Sequence, residues 1–591
     1  MFSSEQWLAN SGADFYNGVA TQSLRFDDGS SANLIRSPSS AGDRQTWVWS
    51  GWVKRATIGS QKKIFLAYNN INNNENYFNL TFDNDDKLKV NQYFSNLRIT
   101  TQVFRDASAW YHIVCAVDTH QATANNRILL YVNGEQITDF STTDNYAVNA
   151  VTGVNHTGEH RVGGSVGDFD GYMAEVNFID GLSFFSDTSG TANTSFNVNS
   201  FGETKNGVWI PIEYTGSYGT NGFRLQFDQV GVGTASTSTI GADTSGNTNH
   251  FTSSGIVASD CAMPDSPENN FCTWNPLDKD ADYTLSEGNT KADSTVSGYG
   301  ATKSTFAQTS GKWYWEITLT GTGVRSFIGI AKTTINPINA TNGTTGTLFY
   351  QGQNGNIWYN GSDQGSYSST YTENDIIGVA LNLDDNEITF YKNNSSGGVA
   401  VTSIDDADWT PTVVDGSTGY ITSFVANFGQ DSSFAGNETA QGNTDGNGIG
   451  DFYYAPPSGF LALCTANLPE PTIGANSDTQ ADDHFNTVLF TGNGGTKAVT
   501  GLGFQPDWFW GKSRTNPSGV FSHSVYDSSR GVTKRLLPDL TNAESTTSGI
   551  TSFDADGFTL GSNAGNNNNN ATYVNWCWKA NGGTTSSNTD G

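Results

Sequence analysis

The sequence predicts an all-β protein, with tandem β-sandwich (jelly-roll) domains and a third β-rich module. Three observations predict it. The first is apolar alternation at period two, written twice as a hairpin. In residues 375–393, Ile377, Val379, Leu381 and Leu383 fall on one strand face. Asp384, Asp385 and Asn386 turn the chain, and Ile388 and Phe390 resume that face. In residues 112–135, Ile113, Cys115 and Val117 alternate up to Asp118, and Ile128, Leu130 and Val132 return. The second observation is charge: Asp, Glu, Lys and Arg make up 15% of the chain, below the ~25% of ordinary soluble domains. Long solvated helices lean on such residues, so the deficit speaks against them. The third is the lack of any 3.6-residue apolar pattern sustained beyond a few turns.

Two hairpins far apart in 591 residues suggest two separate sandwiches. A prior of roughly 100–200 residues per domain allows about three to five domains. The formal charge is −29 and the pI near 4.4. Phosphate backbones and anionic membranes would repel such a surface, so nucleic acid is not expected as a partner. The five cysteines are sparse and odd in number. Cys115, Cys464 and Cys577 fall in apolar strands, and Cys261 and Cys272, which share one loop, are expected to stay unpaired. No basic-then-apolar leader begins at Met1. No apolar run approaches the ~20 residues that would span a bilayer, so membrane insertion is not expected.

In chain order, residues 1–22 read as an N-terminal lead. The first domain, residues 23–230, opens at Leu24-Arg25-Phe26 and continues through a Trp-heavy strand, WVWSGWVKR. Strands follow at residues 78–82, 88–93 and 99–103, then the first hairpin, then GYMAEVNFIDG. Asn221-Gly222 suggests a further hairpin within residues 216–227. Residues 231–269 are polar and read as a linker. The second domain, residues 270–465, carries the strands KWYWEITL and FIGIA, the short NIWYN, the second hairpin, FVANFG and PPSGFLAL. Leu468-Pro469-Glu470-Pro471 marks a break inside a linker of residues 466–484. A β-rich module spans residues 485–580, and residues 581–591 form a Gly/Ser/Thr tail. A tail with nothing after it suggests either a chain cut short or a segment that orders against a partner.

The ordered series in the first domain resembles a laminin-G-like, concanavalin-A-like jelly roll. Its matching pieces are Leu24-Arg25-Phe26-Asp27, Ser50-Gly51-Trp52-Val53-Lys54, Trp110-Tyr111-His112-Ile113-Val114, Leu130-Tyr131-Val132-Asn133-Gly134 and Gly171-Tyr172-Met173-Ala174-Glu175-Val176. Gly311-Lys312-Trp313-Tyr314-Trp315-Glu316, Ile377-Gly378-Val379 and Ile388-Thr389-Phe390-Tyr391-Lys392-Asn393 resemble a SPRY domain, also a β-sandwich. The two in series, with FNTV, TGNG, GFQPD and DGFTLG in the third module, resemble virion structural proteins of marine bacteriophages, of the tail-fibre or host-recognition type. That resemblance implies a virion appendage assembled in the infected bacterial cytoplasm. It implies no enzymatic activity. The implied partners are other virion proteins, a host cell-surface glycan or protein, and further copies of the chain, with a trimer one form such fibres take.

Several constellations could carry chemistry. Asn443, Asp445, Asn447 and Asp451, in NTDGNGIGD, place oxygens at alternating spacing with Gly448 at the turn, and are the candidate Ca2+ ligands. Tyr454 stands where a bidentate Glu would complete such a loop, and a plain Gly/Asn turn fits the same residues. A concanavalin-like fold also hosts glycoside hydrolases, with Glu175 and Asp180 as the candidate acids. Asn177 breaks their pattern, and on a regular strand the two acids face opposite sides. His156 and His160 have metal-like spacing only on a helix; the surrounding Gly and Asn suggest a solvated loop instead. Trp358, Tyr359, Tyr367 and Tyr371 could stack on sugars, or sit half-buried on a short strand. Asn566 to Asn570 read as a disordered loop. The expectation is therefore a non-enzymatic phage adhesin. A capsid-decoration or head-fibre protein is the first alternative, and a glycan depolymerase using Glu175 the second.

Overall fold

The computed structural model describes residues 15–69, 71, 73–164, 167–181, 197–294, 300–321, 325–336, 343–416, 421–469, 481–517 and 519–580. The lead up to residue 14, residues 470–480 of the expected second linker, and the tail from residue 581 lie outside them. The chain divides into two compact units, Met1–Pro469 and Glu470–Gly591, within the Leu468-Pro469-Glu470-Pro471 break.

The first unit holds both sandwiches. In the first, Thr46–Arg55 is central and buried along its whole length. Gly171–Asp180 pairs antiparallel on one side of it and Trp110–Asp118 on the other. The period-two alternation explains its composition. Trp47 and Trp49 enter the inner core with Phe65, Phe78 and Phe178. Val48 points the other way and packs with Val114, Tyr131, Phe201 and Tyr218. Apolar side chains thus suit both faces, because the segment that carries Phe201 and Tyr218 covers the outer one. The expected hairpin is present as Trp110–Asp118 and Ile128–Val132. The facing sheet runs, in spatial order, Phe140–Thr143, Asn96–Val103, Lys87–Gln92, Tyr77–Phe82, Lys62–Tyr68, Glu159–Val162, Asn33–Arg36 and Thr252–Ser254.

The last of these strands corrects the linker assigned to residues 231–269. Thr252–Ser254 pairs with Asn33–Arg36, and Ile240, Phe251 and Ile256 are buried in the main core. Three apolar anchors among Gly, Ser and Thr suffice to fix the stretch against the open edge of the sheet. The hairpin expected at Asn221-Gly222 is also absent. Asn221 is buried, its N–H donates to Asp180 Oδ2 at 2.8 Å, and Phe223–Leu225 pairs with Gly171–Asp180. An Asn-Gly hairpin lies nearby at Asn206-Gly207, both at positive φ, between Gly202–Lys205 and Val208–Pro211.

The second sandwich packs a sheet led by Lys312–Leu319, Ile376–Asn382 and Glu387–Lys392 against one led by Ser326–Lys332 and Trp409–Asp415. Trp274, Trp315, Ile328, Tyr350, Val379, Phe390 and Trp409 fill its core. The second expected hairpin is the Ile376–Asn382 and Glu387–Lys392 pair.

A buried polar seam joins the two sandwiches. Arg25 is fully buried and forms ion pairs with Asp260 at 3.0 Å, with Asp431 at 3.0 Å and with Glu287 at 3.5 Å. Lys54 Nζ donates to Asp265 Oδ2 at 2.6 Å, Asn270 Oδ1 at 2.7 Å and the Phe271 carbonyl at 3.1 Å. Tyr172 Oη donates to the Gly288 carbonyl at 3.1 Å and Asn289 Nδ2 to that of Ala56 at 3.1 Å. Buried charges persist only when paired and hydrogen-bonded, so these contacts fix one relative placement of the two sandwiches.

The second unit has its own small core, with Leu502, Phe504, Phe509, Tyr526, Ile550, Phe558 and Cys577. Its sheet of Phe485–Thr491, Thr572–Trp578, Trp508–Thr515 and Ser524–Asp527 leaves Phe485, Trp508 and Trp510 exposed. The asparagine run is ordered, contrary to expectation. A short helix, Ala564–Asn567, opens it. Asn567 is fully buried and its Nδ2 donates to the Gly561 carbonyl at 3.0 Å and to Asn493 Oδ1 at 3.0 Å. Side-chain amides here satisfy backbone groups that water would otherwise serve. All five cysteines are free and buried.

Candidate functional site

The first sandwich carries a groove of about 670 Å³. Its back wall starts at the turn after Ile128–Val132. Asn133 and Gly134 both have positive φ, which reverses the chain into Glu135–Gln136. Asn133 Oδ1 accepts the His112 N–H at 2.8 Å, tying the turn to the neighbouring strand.

Trp209 rides on the Asn206-Gly207 hairpin and its indole lies between two glycines. A Cβ on Gly134 would come within 2.5 Å of the ring, and one on Gly202 within 2.4 Å. Only a bare backbone admits the ring on both sides. Trp209 Nε1 donates to His112 Nδ1 at 3.0 Å. With Nδ1 accepting, the imidazole proton sits on Nε2, which lies 2.9 Å from Ser50 Oγ. Burial pushes the His112 pKa down to about 3, so the acceptor stays neutral across ordinary pH. The Trp52 ring lies 4.9 Å from His112 and the Trp209 ring 5.9 Å from it, centroid to centroid. The result is a Trp–His–Trp stack with a fixed edge on the groove.

Tyr16, Trp110 and Tyr111 add further aromatic surface, and Asp106, Glu135, Gln136 and Asp139 add polar groups. Among the described residues, the lining contains carboxylates and amides but neither Lys nor Arg. Such a surface stacks on apolar faces of a ligand and hydrogen-bonds its hydroxyl or amino groups, and it disfavours anions. Trp209 was absent from the sequence reading. The Asn206-Gly207 pair, flanked by TK and VWI, was the signal that could have drawn attention to it.

The sequence-derived candidates fall elsewhere. Asp445 is buried and acts as a pin. Its Oδ1 accepts the N–H groups of Asn447 at 2.9 Å and Ile449 at 3.0 Å, and its Oδ2 those of Ala462 at 3.0 Å and the Asn467 amide at 2.7 Å. Asn447 Nδ2 donates to Asn467 Oδ1 at 2.9 Å, and Asn443 Nδ2 to the Tyr453 carbonyl at 2.8 Å. Asp451 Oδ2 accepts the Ser432 N–H at 3.2 Å, while its Oδ1 is buried without a hydrogen-bond partner. Four N–H donors account for the burial of Asp445 without a cation.

Glu175 sits at positive φ in a bulge of Gly171–Asp180 and is paired with Arg224, Nε to Oε1, at 2.7 Å. Asp180 accepts the N–H groups of Asp43 and Asn221, each at 2.8 Å, and the Asn155 amide at 2.8 Å. Glu175 thus holds the adjacent strand Phe223–Leu225, and Asp180 holds loop backbone. His156 and His160 are buried rather than solvated, with rings 4.9 Å apart. Burial lowers their pKa values to about 4 and about 3. Trp358 and Tyr359 are half-buried on Asn356–Tyr359. Tyr371 is buried and donates to the Tyr350 carbonyl at 2.9 Å.

Three family descriptions match separate stretches of the chain. Residues 27–183 match the concanavalin A-like lectin/glucanases superfamily, residues 312–431 the SPRY domain, and residues 480–591 a domain of unknown function, DUF7483. The chain thus contains a laminin-G-like and a SPRY domain. Ran-binding protein 9 of Xenopus tropicalis is 28% identical over 169 residues, covering 27% of this chain and 30% of that protein. The Xenopus laevis protein gives the same identity and coverage. The chain therefore spans under a third of the length of these curated relatives. Among solved structures, the SPRY domain of human HERC1 is 21% identical, with a TM-score of 0.24, covering 27% of this chain and 97% of that one. Stonustoxin is 19% identical, with a TM-score of 0.22, covering 26% of this chain and 27% of that one.

Proposed function

We propose that the protein binds a glycan in the Trp209 groove, and does so without catalysis. The observation that carries this reading is the Trp209 indole, fixed between Gly134 and Gly202 and hydrogen-bonded to His112. A rigid aromatic edge costs little entropy on binding and offers apolar surface against which sugar C–H groups pack. The carboxylates and amides of the lining point to a neutral or amino sugar. The match to a lectin/glucanase family covers Trp52, Trp110, Tyr111 and Asn133, and so supports a saccharide. Glu175 and Asp180 are both committed to structural partners, which speaks for a lectin rather than a hydrolase.

The setting we propose is a phage particle, with the chain as a tail-fibre or adhesin subunit. The tandem order of laminin-G-like, SPRY-like and third modules supports it. Several copies on one particle would convert a modest site affinity into avidity. The experiment is binding of the labelled full chain, presented multivalently, to candidate host cells and to arrayed glycans. Saturable binding, competed by a free neutral or amino oligosaccharide with no release of soluble sugar, is expected. Absence of binding to any glycan would overturn the reading, and release of sugar would replace it with a depolymerase.

A further inference from the structure

In the seam between the sandwiches, three buried side chains bring together the functional groups of an acyl transfer. Lys54 supplies an amine, Asn270 a carboxamide and Asp265 a carboxyl. The Lys54 and Asp265 side chains are 1% and 0% exposed, and Asn270 is 3% exposed. Lys54 belongs to Thr46–Arg55 of the first sandwich. Asn270 lies 216 residues later, where the second domain begins.

The geometry is that of reactants. Lys54 Nζ lies 2.7 Å from Asn270 Oδ1, so a C=O bond of about 1.23 Å puts the amide carbon Cγ at most about 3.9 Å away. That is close to the ~3–3.5 Å of a near-attack pair. Asn270 Nδ2 donates to the Ser108 carbonyl at 2.7 Å, which fixes the end of the amide that faces the lysine. The χ2 torsion of Asn is broad, so the amide can turn its face to Nζ with the backbone in place. Asp265 Oδ2 is 2.6 Å from Nζ. Its Oδ1 accepts the Trp110 indole N–H and the Phe271 N–H, each at 3.3 Å, which holds the carboxyl still. Burial raises the Asp265 pKa, opposed by Lys54. A proton passed from Nζ to Oδ2 removes two buried charges at once and frees the amine lone pair. The Tyr172 ring, its centroid 5.6 Å from Nζ, helps to screen that lone pair from water.

We propose that Lys54 and Asn270 join in an intramolecular isopeptide bond, with Asp265 carrying the proton. Nζ attacks Cγ, and the Cγ–Nδ2 bond breaks. One Nζ proton passes through Asp265 to Nδ2, which leaves as ammonia. A primary amine and a primary amide thus become one secondary amide and NH3, with no oxidant and no outside reactant. The product leaves no ion pair to bury, and it ties the two sandwiches covalently where they meet.

The test is the intact mass of the denatured full chain, followed by tryptic peptide mapping. Wild type is expected about 17 Da below the mass of its sequence, the loss of one ammonia, with one cross-linked peptide joining the segments of Lys54 and Asn270. Lys54→Met, which puts an uncharged chain of similar length in place of the amine, should carry its full mass and give no cross-linked peptide. Asp265→Ala should do the same while keeping both reacting side chains. The wild-type mass decides the bond whether or not either variant folds. Wild type at its full mass would overturn the proposal. So would a deficit without the cross-linked peptide, as a cyclised asparagine gives, or a deficit that persists in Lys54→Met. A deficit that persists in Asp265→Ala would overturn the assignment of Asp265 as proton carrier. The mass is read with no sugar present, so the glycan reading stands or falls separately.

Discussion

Trp209 and Trp358 invite comparison. Both are half-buried indoles on short antiparallel strands, Val208–Pro211 and Asn356–Tyr359. Both donate Nε1–H to a side chain, Trp209 to His112 at 3.0 Å and Trp358 to Gln351 at 2.9 Å. They differ in what surrounds the ring. Trp209 is flanked by Gly134 and Gly202 and lines a groove. Trp358 packs against a face made by Phe327, Phe349 and Val414. The difference teaches that a recognition site here comes from the missing Cβ atoms around a ring, more than from the ring itself. An aromatic-rich stretch such as residues 356–371 advertises stacking and delivers packing.

The largest effect should come from removing the support that the two regions share. Arg25→Ala leaves Asp260, Asp431 and Glu287 facing one another without their cation. A loss of about 3–5 kcal/mol is expected, read as a lower midpoint in urea unfolding and as unfolding of the two sandwiches in separate steps. An unchanged midpoint would mean that the seam is not what joins them. Next in size is Gly134→Ala. Its Cβ meets the Trp209 ring and its φ is +79°, so the variant should lose about 1–3 kcal/mol of stability and most of its glycan affinity. A glycine-to-alanine change at Gly365, with open space around it, should leave glycan affinity intact.

The smallest effect belongs to His112. Its folded pKa, about 3, lies below the ordinary value of 6.5. Between these limits the unfolded chain binds more protons, so stability falls as pH drops from about 6.5 toward 3. His112→Leu should flatten part of that slope in melts across the range, and weaken glycan binding a few-fold by leaving the indole N–H unpaired. An identical slope in the variant would remove His112 from the account.

How much was legible follows from sequence distance. Both hairpins could be read because each is local and alternates cleanly. The laminin-G-like and SPRY-like sandwiches could be read because their strands recur in order. The seam was hidden, since Arg25, Asp260, Glu287 and Asp431 meet only after two domains have folded. The groove was hidden because Trp52, His112 and Gly134 meet the hairpin that carries Gly202 and Trp209 only once the first sandwich has folded. At Asn443–Asp451, three backbone N–H groups and the Asn467 amide take both oxygens of Asp445, an engagement that spacing alone does not show. The linker expectation for residues 231–269 rests on their polar composition and passes over Ile240, Phe251 and Ile256, the apolar residues that anchor the stretch.

The most direct measurement is affinity electrophoresis of wild type, Trp209→Ala and Trp358→Ala through gels cast with a neutral polysaccharide that retards the wild type. Retardation lost in Trp209→Ala, by roughly 30-fold in affinity or more, and kept within twofold in Trp358→Ala is the result this account predicts. Equal retardation of Trp209→Ala and wild type, or loss in Trp358→Ala alone, would contradict it.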